Sequence, residues 1–291
     1  MDELSWVVVV DELSVPASTV TDMATLPNPL PKLATDPTGA ALGLQLPPGR
    51  LLDATCEDES HGPLLWLADQ PAVPGAWAAL APARRTAGLL PVVLDAGGRH
   101  GGPQTWELTP DAMSYPGDHD ADEVLADLWD EYAAGETEEE WPGLADTPAA
   151  VGALSAGDPD AVATGIADSL LDSGGLLEDP RLALVPARRS ADVPAAIGWT
   201  GPVNHEGDTA RLCAVLRSWE DRFGIRVVAL GFDHLLVSVA FPPATAAEAE
   251  AVAAEHFAFC PDNILQSGDS TVQAYAEKRL LNQPAWHFWW D

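Results

Sequence analysis

Positive charge is what this 291-residue chain has least of: 14 Lys and Arg stand against 45 Asp and Glu, for a formal charge of −31. Lysine is confined to Lys32 and Lys278, and no Lys or Arg occurs from Glu107 to Asp179, where twenty carboxylates fall. A field of that sign repels nucleic acid and anionic membrane and attracts basic partners. Direct DNA or RNA binding is therefore disfavoured, and so is a membrane-surface role. Cysteine is scarce too. Cys56, Cys213 and Cys260 are odd in number and match no zinc or redox spacing, which fits a reduced, cytoplasmic setting. Long apolar runs are missing. The run at 6–10 is too short for a membrane span, and the acidic start MDELSW is unlike a signal peptide.

Hydrophobic residues, at 47%, are plentiful enough for a sizeable core. Arg, Ala, Gly and Pro far outnumber lysine, a codon bias suggesting a GC-rich bacterial genome. The β-branched run at 7–10 reads as a strand, and a Pro-punctuated connector follows to about residue 50. LLWLAD at 64–69 and GLLPVVLD at 88–95 read as strands, with Pro91 arguing for an edge or a bulge, and a brief helix is expected near Trp77. GGRHGG at 97–102 reads as a loop, because no helix N-terminus follows to cradle phosphate. Val124, Leu125, Leu128, Trp129 and Tyr132 recur at helical spacing, with carboxylates on the other face. DHDADE at 118–123 lacks the central Gly of a calcium loop and reads as the start of that helix. Asp158-Pro159 opens a second helix with Val162, Ile166 and Leu170 as its stripe, and RLALVPARR at 181–189 is a strand ending in two arginines. Those arginines suit neutralisation of neighbouring acidic helices.

Signals agree best from Trp199 onward. Asp208 or Thr209 caps a helix with Leu212, Val215, Leu216, Trp219 and Phe223 on one face, Arg217 and Asp221 forming a pair on the other, and Gly224 ending it. Two β-rich runs then form a hairpin. Thr245 with Glu248, and Ser270 with Gln273, carry capping-box spacing before two further helices. The closing WHFWW alternates, Trp286, Phe288 and Trp290 against His287 and Trp289. The expected fold is α/β (α+β): a mixed, largely antiparallel sheet with helices packed on it, ending in a helix-hairpin-helix-helix-strand unit. Three regions follow: 1–50, strand and connector; 51–190, an acidic α/β region; and 191–291, a C-terminal α/β domain able to share one sheet with it.

GWTGPVN, LRSWEDRFGIRVVALGFD, EHFAFCPDNI and WHFWWD resemble the bacterial family known as domain of unknown function 4253, over roughly 199–291. LLWLAD, GLLPVVL and VLADLW resemble the N-terminal half of its longer members. The resemblance implies a mixed α/β fold and no activity, so no catalytic residue carries over.

Chemistry-bearing candidates come from the residues alone. His256 and Cys260 lie four apart on a helix, with Asp262 and Asn263 beyond, a Cys/His/Asn set of the thiol-hydrolase kind. A thiol at a helix C-terminus, however, faces the negative dipole end and is dulled. His205, His234, His256 and Cys260 supply zinc-type donors, though only one pair is local; zinc is the one cofactor considered and none is expected. Asx side chains after a helix-ending Pro, and a helical His, more often brace structure. The leading expectation is a protein-binding, immunity- or adaptor-like module whose acidic face, with Asp127, Asp130, Glu131, Glu138, Glu139 and Glu140, recruits a basic protein. A metal-dependent or thiol hydrolase and a small-molecule-binding domain are the alternatives.

Overall fold

The computed structural model describes residues 28–54, 62–132, 140–148, 151, 157–173, 175–268 and 271–291. The strand expected at 7–10, Cys56, Glu138, Glu139 and the cap at Ser270 lie outside these residues.

Among the described residues seven strands form one open sheet: β1 (Gly49–Leu52), β2 (Leu65–Ala68), β3 (Leu89–Asp95), β4 (Pro180–Pro186), β5 (Arg226–Leu230), β6 (His234–Ser238) and β7 (Ala285–Trp289). Their order is β1-β2-β4-β3-β5-β6-β7. Every neighbouring pair is antiparallel except β3 with β5, which is parallel. The fold is therefore α/β with a mixed, mostly antiparallel sheet, and the sheet runs unbroken from the acidic region into the C-terminal one.

Alternation explains the layering. Leu65, Leu67, Val92, Leu94, Val185, Val237, Trp286 and Phe288 face one core, shared with the helices Ala121–Tyr132, Thr209–Phe223 and Ala246–Phe259. Trp66, Val93, Leu182, Leu184 and Leu236 face a second, shared with Ala76–Leu80 and Pro159–Ser173. Strands buried on both faces read as continuous apolar runs, which is why LLPVVL and RLALV show no polar alternation. A bulge in β5, between Val227 and Ala229, returns Leu230 to the first core.

Several expectations need correcting. Pro91 sits in a central strand rather than at an edge. Its missing N–H is tolerated because β5 pairs with β3 only at Val93 and Leu94, leaving β4 as the neighbour beside Pro91. Residues read as connector carry a short helix, Pro31–Thr35, and β1, and bury Leu30, Leu33, Leu42 and Leu44 in the second core. On Pro159–Ser173 the fully buried positions are Ala163 and Ala167, with Ile166 and Leu170 only partly covered. Arg217 does not pair with Asp221. It forks onto Asp192, while Asp221 takes Arg189. A bidentate, largely shielded carboxylate outcompetes an exposed i,i+4 neighbour. The third helix is capped by Thr271, whose hydroxyl accepts from the Ala274 N–H.

Other local signals match. Asp208 accepts from the Ala210 N–H, and Gly224 ends that helix at φ +63°. Thr245 and Glu248 form the reciprocal capping box. Gly198 has φ +64°, and a Cβ there would lie 2.2 Å from the Pro110 nitrogen; the glycine lets Leu108 bridge to Trp199.

Candidate functional site

The Ala246–Phe259 helix is apolar nearly all round, so it sinks into the core and carries its polar residues with it. His256 is fully buried, with ring centroids of Trp286, Phe288 and Trp219 between 4.6 and 4.9 Å away. Its Nδ1 lies 3.0 Å from the Tyr275 hydroxyl, and Nε2 has no hydrogen-bond partner. Burial depresses its pKa well below the usual imidazole range, so the ring is neutral. Cys260 donates its S–H to the Trp289 carbonyl at 3.0 Å, and burial pushes the thiol above its ordinary range. The thiol is turned to β7, not to the imidazole.

Asn263 and Asp262 complete this fastening. The Asn263 amide donates to the His287 carbonyl (2.7 Å) and accepts from the Trp289 N–H (3.2 Å), covering the outer edge of β7 as a neighbouring strand would. Asp262 accepts from the Asp291 N–H and the Gln266 amide. Cys260, Asp262 and Asn263 thus tie a helix end to the edge strand and the residues after it, while His256 packs in the core behind them. No thiolate-imidazole pair is formed.

The zinc candidates are dispersed. His205 Nε2 lies 3.1 Å from the Ala258 carbonyl, which assigns the proton to Nε2, and its Nδ1 is buried without a partner. Burial, opposed by that hydrogen bond, lowers its pKa to about 4. His234 contacts Asp233 (3.2 Å) on one side and His287 (3.2 Å) on the other. His256 stays in the aromatic core. Among the described residues no three His, Cys, Asp or Glu side chains are placed to hold a metal ion.

Glu255, beside His256, is fully buried and fully satisfied. It accepts two hydrogen bonds from Arg222 (2.8 and 2.6 Å), one from Trp219 Nε1 and one from the Ala145 N–H. Arg222 also donates to the Ala145 carbonyl, so the network pins the 140–148 segment to the core.

On the acidic face, Asp127, Asp130, Glu131 and Glu140 are exposed. Arg211 bridges Asp127 and Glu206. The other paired arginines are committed elsewhere: Arg50 to Asp69, Arg181 to Asp179, Arg84 and Arg226 to Asp160, and Arg189 to Asp221.

Sequence reasoning missed a cleft of about 490 Å³ along the outer edge of β7. From the sheet it is lined by Ala285, Trp286, His287 and Trp289 of β7 and His234 of β6, and from either side by residues of 262–267 and of 275–283, the latter with Lys278 and Arg279. Two signals were present in the chain: adjacent cations where cations are rare, and the alternation that turns His287 and Trp289 off the core face.

These features define an open-sheet α/β protein with helices on both faces, its chemistry-bearing side chains largely buried and a cleft at one sheet edge. Residues 181–291 match the family described as domain of unknown function (DUF4253), and the residues before 181 match no family. The match takes in β4 through β7 and every residue that lines the cleft. No curated protein and no solved structure matches the chain.

Proposed function

We propose that this protein works by binding, and that its exposed carboxylates recruit a basic protein partner. The observation that carries this reading is where the positive charge goes. The arginine side chains are largely engaged in ion pairs within the chain, Arg211 with Asp127 among them, while Asp130, Glu131 and Glu140 stand in solvent along and beyond one helix. Fourteen cations cannot offset forty-five carboxylates, so an external field of one sign remains. The burial of His256 and the Cys260 thiol supports the same reading, since neither is open to a substrate as a hydrolase would need.

The experiment is capture of partners from a lysate of the source cell, with identification of what is retained. A basic protein is expected, and the triple variant Asp130→Asn/Glu131→Gln/Glu140→Gln should retain at least tenfold less of it, about 1.4 kcal/mol spread over three exposed charges. Equal retention by the variant would remove the acidic face from the proposal.

A further inference from the structure

We propose that the cleft beside β7 binds a small anion carrying a flat ring, with Lys278 and Arg279 holding the anionic group and Trp289 the ring. The site lies apart from the acidic-face reading and does not depend on it. Its volume, about 490 Å³, falls within the range of small-molecule sites, about 300–1,000 Å³.

Charge placement selects the ligand. In a chain with only 14 basic residues, two adjacent ones line the same cleft, and one of them is one of the two lysines. On a regular helix adjacent residues diverge by about 100°. Here the backbone is not regular. Leu281 N–H donates to the Ala276 carbonyl, five residues back, making a widened turn over Ala276–Leu280, and Asn282 follows at φ +56°. Such turns and left-handed residues are uncommon and recur at functional sites. Asp262, which keeps its charge while accepting from the Asp291 N–H and Gln266, is the one carboxylate among the lining residues, so the two cations outnumber it there. Gln283 adds an amide to the lining, and the half-buried Trp289 offers an indole. An Arg fork and a Lys ammonium suit carboxylate or phosphate, and an indole face suits a planar ring.

The test is titration of the full chain with phenyl phosphate, followed by NMR at the indole N–H signals, with the Trp289 signal assigned through Trp289→Phe. A saturable shift of the Trp289 signal is expected, weakened about tenfold or more in Lys278→Gln/Arg279→Gln. Both side chains are exposed, so the variant should keep the parent's other indole signals. If the double variant misfolds, Lys278→Gln alone must show the weakening. Benzyl alcohol, the uncharged counterpart, should bind at least tenfold more weakly, and inorganic phosphate should compete. The proposal is overturned if phenyl phosphate gives no saturable shift up to about 10 mM. It is equally overturned if benzyl alcohol binds as well as phenyl phosphate, or if removing the cations changes nothing.

Discussion

Replacing Glu255 with Ala should be among the most damaging single changes in the described core. The carboxylate is fully buried and receives four hydrogen bonds, two of them charge-assisted from Arg222. Truncation leaves the Arg222 guanidinium in a site whose side chain is only 11% exposed. It also strands the Trp219 indole N–H and the Ala145 N–H. Breaking a buried pair by deleting one partner costs about 3–5 kcal/mol. Two lost neutral donors add about 1 kcal/mol each, and relaxation or water entry recovers part of the total. A net loss of about 4 kcal/mol is expected, a large share of the 5–15 kcal/mol that holds typical domains. Replacing both charges, as in Glu255→Leu/Arg222→Met, should recover more than half of it, because no uncompensated charge is left buried. Urea unfolding at neutral pH measures both, and hydrogen exchange over 141–148 should rise in the single variant, whose tie through Ala145 is gone. A loss under about 1 kcal/mol for Glu255→Ala would refute the reasoning, since a carboxylate so replaceable cannot be the closed, dry hub described.

Two further outcomes follow from burial. His205 and His287 have pKa values lowered to about 4 from an ordinary 6.5, mainly by burial, and for His287 also by the neighbouring His234 and Arg279. Between those values the unfolded chain binds protons the folded chain does not, so stability falls as pH drops from 6.5 toward 4, by on the order of 3 kcal/mol for each residue. Urea midpoints of the wild type and of His205→Gln/His287→Gln should converge over that window, and parallel pH slopes would contradict this. Cys213 and Cys260 are buried, with thiol pKa values pushed upward by burial. In a Cys56→Ser background a disulfide reagent should therefore titrate no thiol until denaturant is added, whereas rapid native-state labelling of Cys260 would revive the hydrolase alternative.

Local chemistry in the chain anticipated the elements, and tertiary competition decided the rest. The Thr245/Glu248 box, the Asp208 cap and the Gly224 stop depend on neighbours within four residues, so spacing sufficed to find them. The alternation in WHFWW placed Trp286, Phe288 and Trp290 in the core for the same reason. Pro91 was misplaced because its tolerance depends on where β5 starts to pair, a fact written more than a hundred residues later. Arg217 found Asp192 through a turn that no helical period describes. At the candidate site, His256 and Cys260 do share a helix, but their direction is set by how deep that helix sits. The cleft was hidden for a related reason: a widened turn breaks the periodicity on which sequence patterns rest.

On the function proposed above, exterior charge, and not the buried imidazole and thiol, is what this protein presents to a partner. The test is the dissociation constant of the captured partner across an ionic-strength series from about 0.05 to 1 M, over which the screening length shrinks from more than 10 Å to about 3 Å. Affinity should fall steadily with salt, chiefly through a slower association rate. An affinity unchanged across that range would contradict it.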